Sequence, residues 1–81
     1  MKSKVRKMAA NLLKQAIAQT VLHRRKVLGI TQQNLAELVD ITTRYLYEVE
    51  KGKANPSLET LTRIFDALGL TLEIKIKQPG E

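Results

Sequence analysis

Residues 31–50, TQQNLAELVDITTRYLYEVE, decide the fold. Thr31 and Thr42 each stand directly before a short helix-forming run. A threonine in that place accepts a hydrogen bond from a free amide of the next turn and so starts a helix. Leu35, Ala36, Leu38 and Val39 supply an inner face to the first run, and Leu46 and Val49 supply one to the second. Asp40 and Ile41 leave room only for a tight turn between them. The stretch reads as two short capped helices, the second running from Thr43 to about Glu50, with Gly52 as its stop.

Working outward, Lys53, Ala54, Asn55 and Pro56 make a loop, and Ser57 caps a further helix. Leu58, Leu61, Ile64, Phe65 and Leu68 form its expected buried face, Glu59 suits its amino-terminal dipole, and Gly69 ends it. Upstream, Val5, Met8, Ala9, Leu12, Leu13, Ala16, Ile17, Thr20 and Val21 recur at intervals of three and four. That stripe predicts one long helix from about residue 4 to Leu28, stopped by Gly29.

The tail changes period. Leu70, Leu72, Ile74 and Ile76 alternate with Thr71, Glu73, Lys75 and Lys77, which predicts a strand with one apolar face, ended by Pro79 and Gly80. A lone strand in a helical chain has no partner for its backbone groups. The same strand from a second copy would complete a two-stranded antiparallel ribbon across a two-fold axis. The bland alternative is a frayed polar tail. The expected division is therefore a basic amphipathic extension at 1–20, a helical domain at 21–69, a dimerisation strand at 70–77 and a tail at 78–81.

Composition bounds the function. The chain has 81 residues, 43% of them hydrophobic, with no Trp and one Phe, so its core must be small and aliphatic. It has no Cys and one His, His23, which excludes disulfides, thiolate ligands and a histidine metal cluster. No metal and no cofactor are expected. Eight acids are spread along amphipathic elements with none paired beside a base, so an enzyme is not expected. The basic, mildly apolar start resembles a secretory leader only faintly, because Lys14 and Gln15 interrupt it and a basic cluster follows; a cytoplasmic location is expected. Residues 1–29 carry eight bases and no acid, whereas residues 30–81 carry six bases and eight acids. A one-sided basic surface attracts polyanions, nucleic acid first and an anionic membrane second.

The second of the paired helices presents Thr42, Thr43, Arg44 and Tyr47 outward. The major groove of DNA is about 12 Å wide and admits one helix. Arginine pairs bidentately with a guanine edge, threonine offers a hydroxyl or a methyl, and tyrosine offers a ring and a hydroxyl. Those four are the candidate base-reading residues. Gln32 and Gln33 at the amino end of the preceding helix suit a phosphate, though ordinary helix-start residues look the same. Lys51, Lys53 and Asn55 complete the candidate phosphate set, while Arg24 and Lys26 are candidates for phosphate contact or plain solvation. Glu50 opposes the dipole at its helix end, which a structural ion pair with Arg25 would explain.

These residues resemble a known family. The stretch RRKVLGITQQNLAELVDITTRYLYEVEKGKANPSLETLTRIFDALGL, residues 24–70, is similar to the helix-turn-helix domain shared by phage repressors, Cro proteins and many bacterial regulators. The resemblance implies an all-α, four- to five-helix, lambda-repressor-like domain that forms dimers and enters the major groove. It implies that Thr43 and Arg44 open the reading helix, that Gln32 clamps a phosphate and that Arg25 pairs with Glu50. One departure is Asp40, where the family often has Gly, so a slightly strained turn is expected. The tail DALGLTLEIKIK is similar to the end of HipB-type antitoxins, whose dimer-forming strand follows the helical domain directly. That likeness implies an autoregulating repressor that partners a HipA-family kinase toxin.

Three functional classes remain distinguishable. The favoured one is a homodimeric repressor with two reading helices roughly 34 Å apart on an inverted repeat of double-stranded operator DNA. It is either an antitoxin or a stand-alone phage-type repressor. A helix-turn-helix protein-interaction adaptor without DNA binding is the second class. A membrane-surface peptide is the third, disfavoured because residues 1–21 contain no Trp or Phe and their apolar face is wanted by the core.

Overall fold

The computed structural model describes residues 2–77 and 79–80. Four helices follow one another: α1 over Lys2–Leu28, α2 over Gln32–Leu38, α3 over Thr43–Glu50 and α4 over Leu58–Ala67. The three caps are formed as expected. Thr31 Oγ1 accepts from the Asn34 amide at 3.0 Å, Thr42 Oγ1 from Tyr45 at 3.0 Å and Ser57 Oγ from Thr60 at 3.1 Å.

All four helices end by the same device. A residue with positive φ follows the helix, and the amide after it reaches back to a carbonyl five residues earlier. Those return bonds are Ile30 to Arg25 at 3.2 Å, Ile41 to Ala36 at 3.0 Å, Lys53 to Glu48 at 2.9 Å and Leu70 to Phe65 at 2.8 Å. In three of the four, the returning residue (Ile30, Ile41, Leu70) is apolar and packs against the core. The turn chemistry thus also sets the direction in which each helix leaves its predecessor. Asp40 takes the left-handed conformation in the second turn, at φ 58°. Gly52 is favoured by its φ of 73°, and a Cβ there would also displace the end of the Gln15 side chain, 2.8 Å away.

Val21, Leu35, Ala36, Val39, Leu46, Leu61, Ile64, Phe65 and Leu68 make one core, aliphatic but for Phe65. Of the inner-face residues expected on α2–α4, Val49 is buried outside this cluster and two are exposed. Leu38 is 68% exposed, because it lies two residues from Ala36 and so on the opposite side of α2. Leu58 is 72% exposed, since it sits at the first position of α4, a turn ahead of Leu61.

The apolar stripe of α1 is covered only in its second half. Ala18 and Val21 are buried and Ile17 and Leu22 half-buried, but Met8, Ala9, Leu12, Leu13, Ala16 and Thr20 are exposed. The covered face follows residues 14, 17, 18, 21, 22 and 25, turned by about one residue from the stripe read in the sequence. A helix of 27 residues is roughly 40 Å long, whereas α2–α4 have 7–10 residues, so the amino-terminal half of α1 outruns the body. Val5, Gln78 and Glu81 lie outside the described side chains.

The expected strand is not formed. Among the described residues, 70–77 carry no strand; Leu70 is half-buried, and Thr71–Lys77 are exposed, Ile74 fully. Among the described residues no second strand is present to satisfy the ladder, so alternation alone does not make one.

Candidate nucleic-acid interface

Helix α3 is held from behind by a charged network that joins three helices. Glu50 on α3 is buried. Its Oε2 accepts from Arg25 Nε at 2.8 Å and its Oε1 from Arg25 Nη2 at 3.0 Å, a bidentate pair from α1. Oε1 also accepts from Gln32 Nε2 at 2.8 Å, from the first residue of α2. Arg25 Nη1 donates to the Ile30 carbonyl at 2.9 Å. Among the described residues, no buried side-chain nitrogen or oxygen is left without a partner. The hydrogen bond and the charge of Glu50 raise the pKa of Arg25 above the ordinary arginine value, against the opposing effect of burial. The guanidinium is thereby fixed as a cation in a structural role. This is the ion pair that the sequence suggested, with Gln32 as an unforeseen third member.

Clamping the inner face leaves the outer face of α3 free. Thr42, Thr43, Arg44 and Tyr47 are all exposed, in the first turns of the helix or at its cap. Thr42 therefore serves the helix start with its Oγ1 while standing on the same surface as Arg44. Glu48 is half-buried at the margin. Lys51 places its ammonium 5.5 Å from the centre of the Tyr47 ring, within cation–π range.

The candidate phosphate residues divide. Lys51, Lys53 and Asn55 are exposed beyond the carboxyl end of α3. Gln33 is exposed and donates to Glu37 Oε1 at 3.4 Å. Gln32 is half-buried and already gives an amide hydrogen to Glu50. The basic run at 24–26 is mostly structural: Arg24 Nε donates to the Leu68 carbonyl at 2.9 Å, closing the end of α4, and Arg25 is spent on Glu50. Lys26 alone of the three is exposed. It borders, with Leu22, Gln32, Tyr47 and Lys51, a hollow of about 350 Å³ between α1 and α3. The sequence carried no signal for the Arg24 contact, because an arginine that caps a distant carbonyl has the same local context as a solvated one.

The arrangement is a short capped helix, a left-handed turn at Asp40 and a second capped helix with a polar outer face, and a family model for the helix-turn-helix matches residues 23–75. The chain belongs to the helix-turn-helix family. An uncharacterised helix-turn-helix-type transcriptional regulator of Haemophilus influenzae is 37% identical over 62 residues, covering 76% of this chain and 63% of that protein. The immunity repressor of Bacillus phage phi105 is 37% identical over 54 residues, covering 67% of this chain and 38% of the repressor. The crystal structure of the clp gene regulator ClgR from Corynebacterium glutamicum superposes with a TM-score of 0.70 at 32% identity, covering 73% of this chain and 63% of ClgR. The chain thus spans less than two thirds of the length of these relatives. The family match begins at His23, so most of α1 lies outside it, and it includes the start of the tail. Among the described residues, no group of His, Cys, Asp and Glu is placed to hold a metal ion, and no helix is long and apolar enough to cross a membrane.

Proposed function

We propose that this helix-turn-helix chain binds double-stranded DNA at specific sites and represses transcription. The observation that carries the reading is the two-sided character of α3. Its inner face is locked by Arg25, Glu50 and Gln32, and its outer face offers Thr42, Thr43, Arg44 and Tyr47 together. In this reading Arg44 takes a guanine edge, the threonines take neighbouring bases, and Tyr47 takes a base or a phosphate. Lys51, Lys53 and Asn55 hold the backbone beyond the reading helix, and Gln33 and the remaining amide hydrogen of Gln32 hold it at the start of α2. Repression then follows from occupying a promoter and excluding polymerase. The printed names of the relatives, a transcriptional regulator and an immunity repressor among them, support the same reading.

The proposal includes a homodimer. Leu72, Ile74 and Ile76 present an alternating apolar edge that the single chain leaves in solvent, and a second copy of residues 70–77 would pair it. The likeness of the tail DALGLTLEIKIK to HipB-type antitoxins supports the narrower reading of an autoregulating antitoxin, with a HipA-family kinase toxin as partner. A mobility shift with DNA from immediately upstream of the protein's own gene tests the proposal. Salt-sensitive binding that survives random competitor supports autorepression, and tightening by a co-expressed kinase supports the antitoxin reading. Binding no better than to random duplex contradicts autorepression.

A further inference from the structure

The amino-terminal half of α1 is unaccounted for by the DNA reading. It combines two properties that are seldom left in solvent together. Met8, Leu12 and Leu13 are 59%, 70% and 62% exposed, at spacings that place them along one side of the helix. The same helix carries Arg6, Lys7 and Lys14 and contains no acid. Contiguous exposed apolar side chains rimmed by charge mark an interaction surface.

Of these three, Leu13 also borders a concavity, whereas Met8 and Leu12 face away from it. Leu13 and Ile17 form one wall of a hollow of about 220 Å³, Val49 and Leu61 line it from the body, and Pro56 closes the far side. Lys14 stands on its rim. The lining is mostly hydrocarbon, and the hollow admits aliphatic side chains from an approaching element.

We infer that this groove is the docking site for an acidic amphipathic helix of another protein. Three alternative occupants fit less well. A second copy would bring the same unneutralised bases against Arg6, Lys7 and Lys14, which repel across an apolar contact. DNA satisfies the charge but has nothing for Leu13 and the hydrocarbon lining to bury against. An anionic bilayer satisfies both charge and apolar side chains, but it meets a helix as a plane and does not enter a walled hollow, and α1 offers it no aromatic anchor. A partner helix with leucines on one side and glutamates on the flanks fits the hollow: leucines against Leu13 and Ile17, carboxylates toward the bases. The inference stands apart from the DNA reading, because none of the base-reading residues lines the groove; Asn55 alone is shared with the proposed phosphate set.

The test uses the full chain and a short labelled amphipathic peptide of leucine and glutamate, followed by fluorescence anisotropy. Saturable binding is expected, weakened by salt and absent for the same pattern built with lysine. Leu13→Ser should weaken it about tenfold, the loss of one buried leucine contact, with circular dichroism and DNA affinity unchanged. Lys14→Glu, at the rim of the hollow, serves as the second variant should Leu13→Ser alter folding, and should also weaken binding. Failure of the glutamate peptide to saturate overturns the inference, as does equal binding by both variants. A lowered sedimentation mass for Leu13→Ser would assign the groove to a second copy instead. Capture by phosphatidylserine vesicles without capture of the peptide would assign it to a membrane.

Discussion

Gln32 and Arg25 donate to the same oxygen of Glu50, at 2.8 and 3.0 Å, so that α2 and α1 grip α3 through a single carboxylate. The carboxylate is 2% exposed and the arginine side chain 11%. Removing it leaves a nearly buried guanidinium with only the Ile30 carbonyl for company. Glu50→Ala should therefore cost about 3 kcal/mol of stability, read by urea denaturation. A loss within experimental scatter would show that the network is ornamental. Because the pKa of Arg25 is raised in the folded state, the guanidinium's contribution is fully present below the ordinary arginine range and is lost only as pH rises through the folded value.

Asp40 closes the turn between α2 and α3 with φ 58°, where a side chain is strained and glycine is not. Asp40→Gly should stabilise the domain by about 0.5–1 kcal/mol, seen as a rise in Tm. Unchanged or lower stability would mean that the aspartate makes a compensating local bond.

Lys53 follows α3 and is exposed, with its own amide bonded to the Glu48 carbonyl at 2.9 Å. Its backbone is thus fixed while its ammonium is free to meet a phosphate. Lys53→Ala should weaken specific and random DNA alike and lower the slope of log affinity against log salt by about one. A slope equal to that of the parent protein would remove Lys53 from the phosphate set.

The tail offers a cleaner test of dimerisation than any point change. Leu70 belongs to the helical body, since its amide bonds to Phe65 at 2.8 Å and its side chain packs on the core. Truncation after Thr71 keeps that contact and removes Leu72, Ile74 and Ile76. The truncated chain should sediment as a monomer and bind half-sites weakly. A truncated chain that stays dimeric would place the dimer contact elsewhere.

Much of the fold was legible because it is written in local chemistry. Thr31, Thr42 and Ser57 cap by a bond to an amide three residues on, and Gly29, Gly52 and Gly69 stop helices by a conformation open to few other residues. The Arg25–Glu50 pair was legible because an acid at a helix end demands an explanation. What escaped depends on how long elements overlap. Periodicity assigns Met8, Leu12 and Leu13 to a side of α1 but cannot say where the body beneath it stops. Leu58 and Leu38 are exposed for related reasons of place, at an end and on the far side of short helices. Residues 70–77 have the alternation of a strand, yet a strand is a property of two segments. Gln32 was read by its position at a helix start; its bond to Glu50, eighteen residues on, is tertiary and leaves no local trace.

The central claim is that α3 reads bases, and Arg44 is the exposed cation of that helix. The deciding measurement is the affinity of the parent protein and of Arg44→Ala for a selected site and for random duplex, at one fixed salt concentration. The account predicts that the variant loses about 1–3 kcal/mol on the selected site and little on random DNA, with selectivity relaxed at one base pair. Equal losses on both sequences, or no selected site at all, would contradict it.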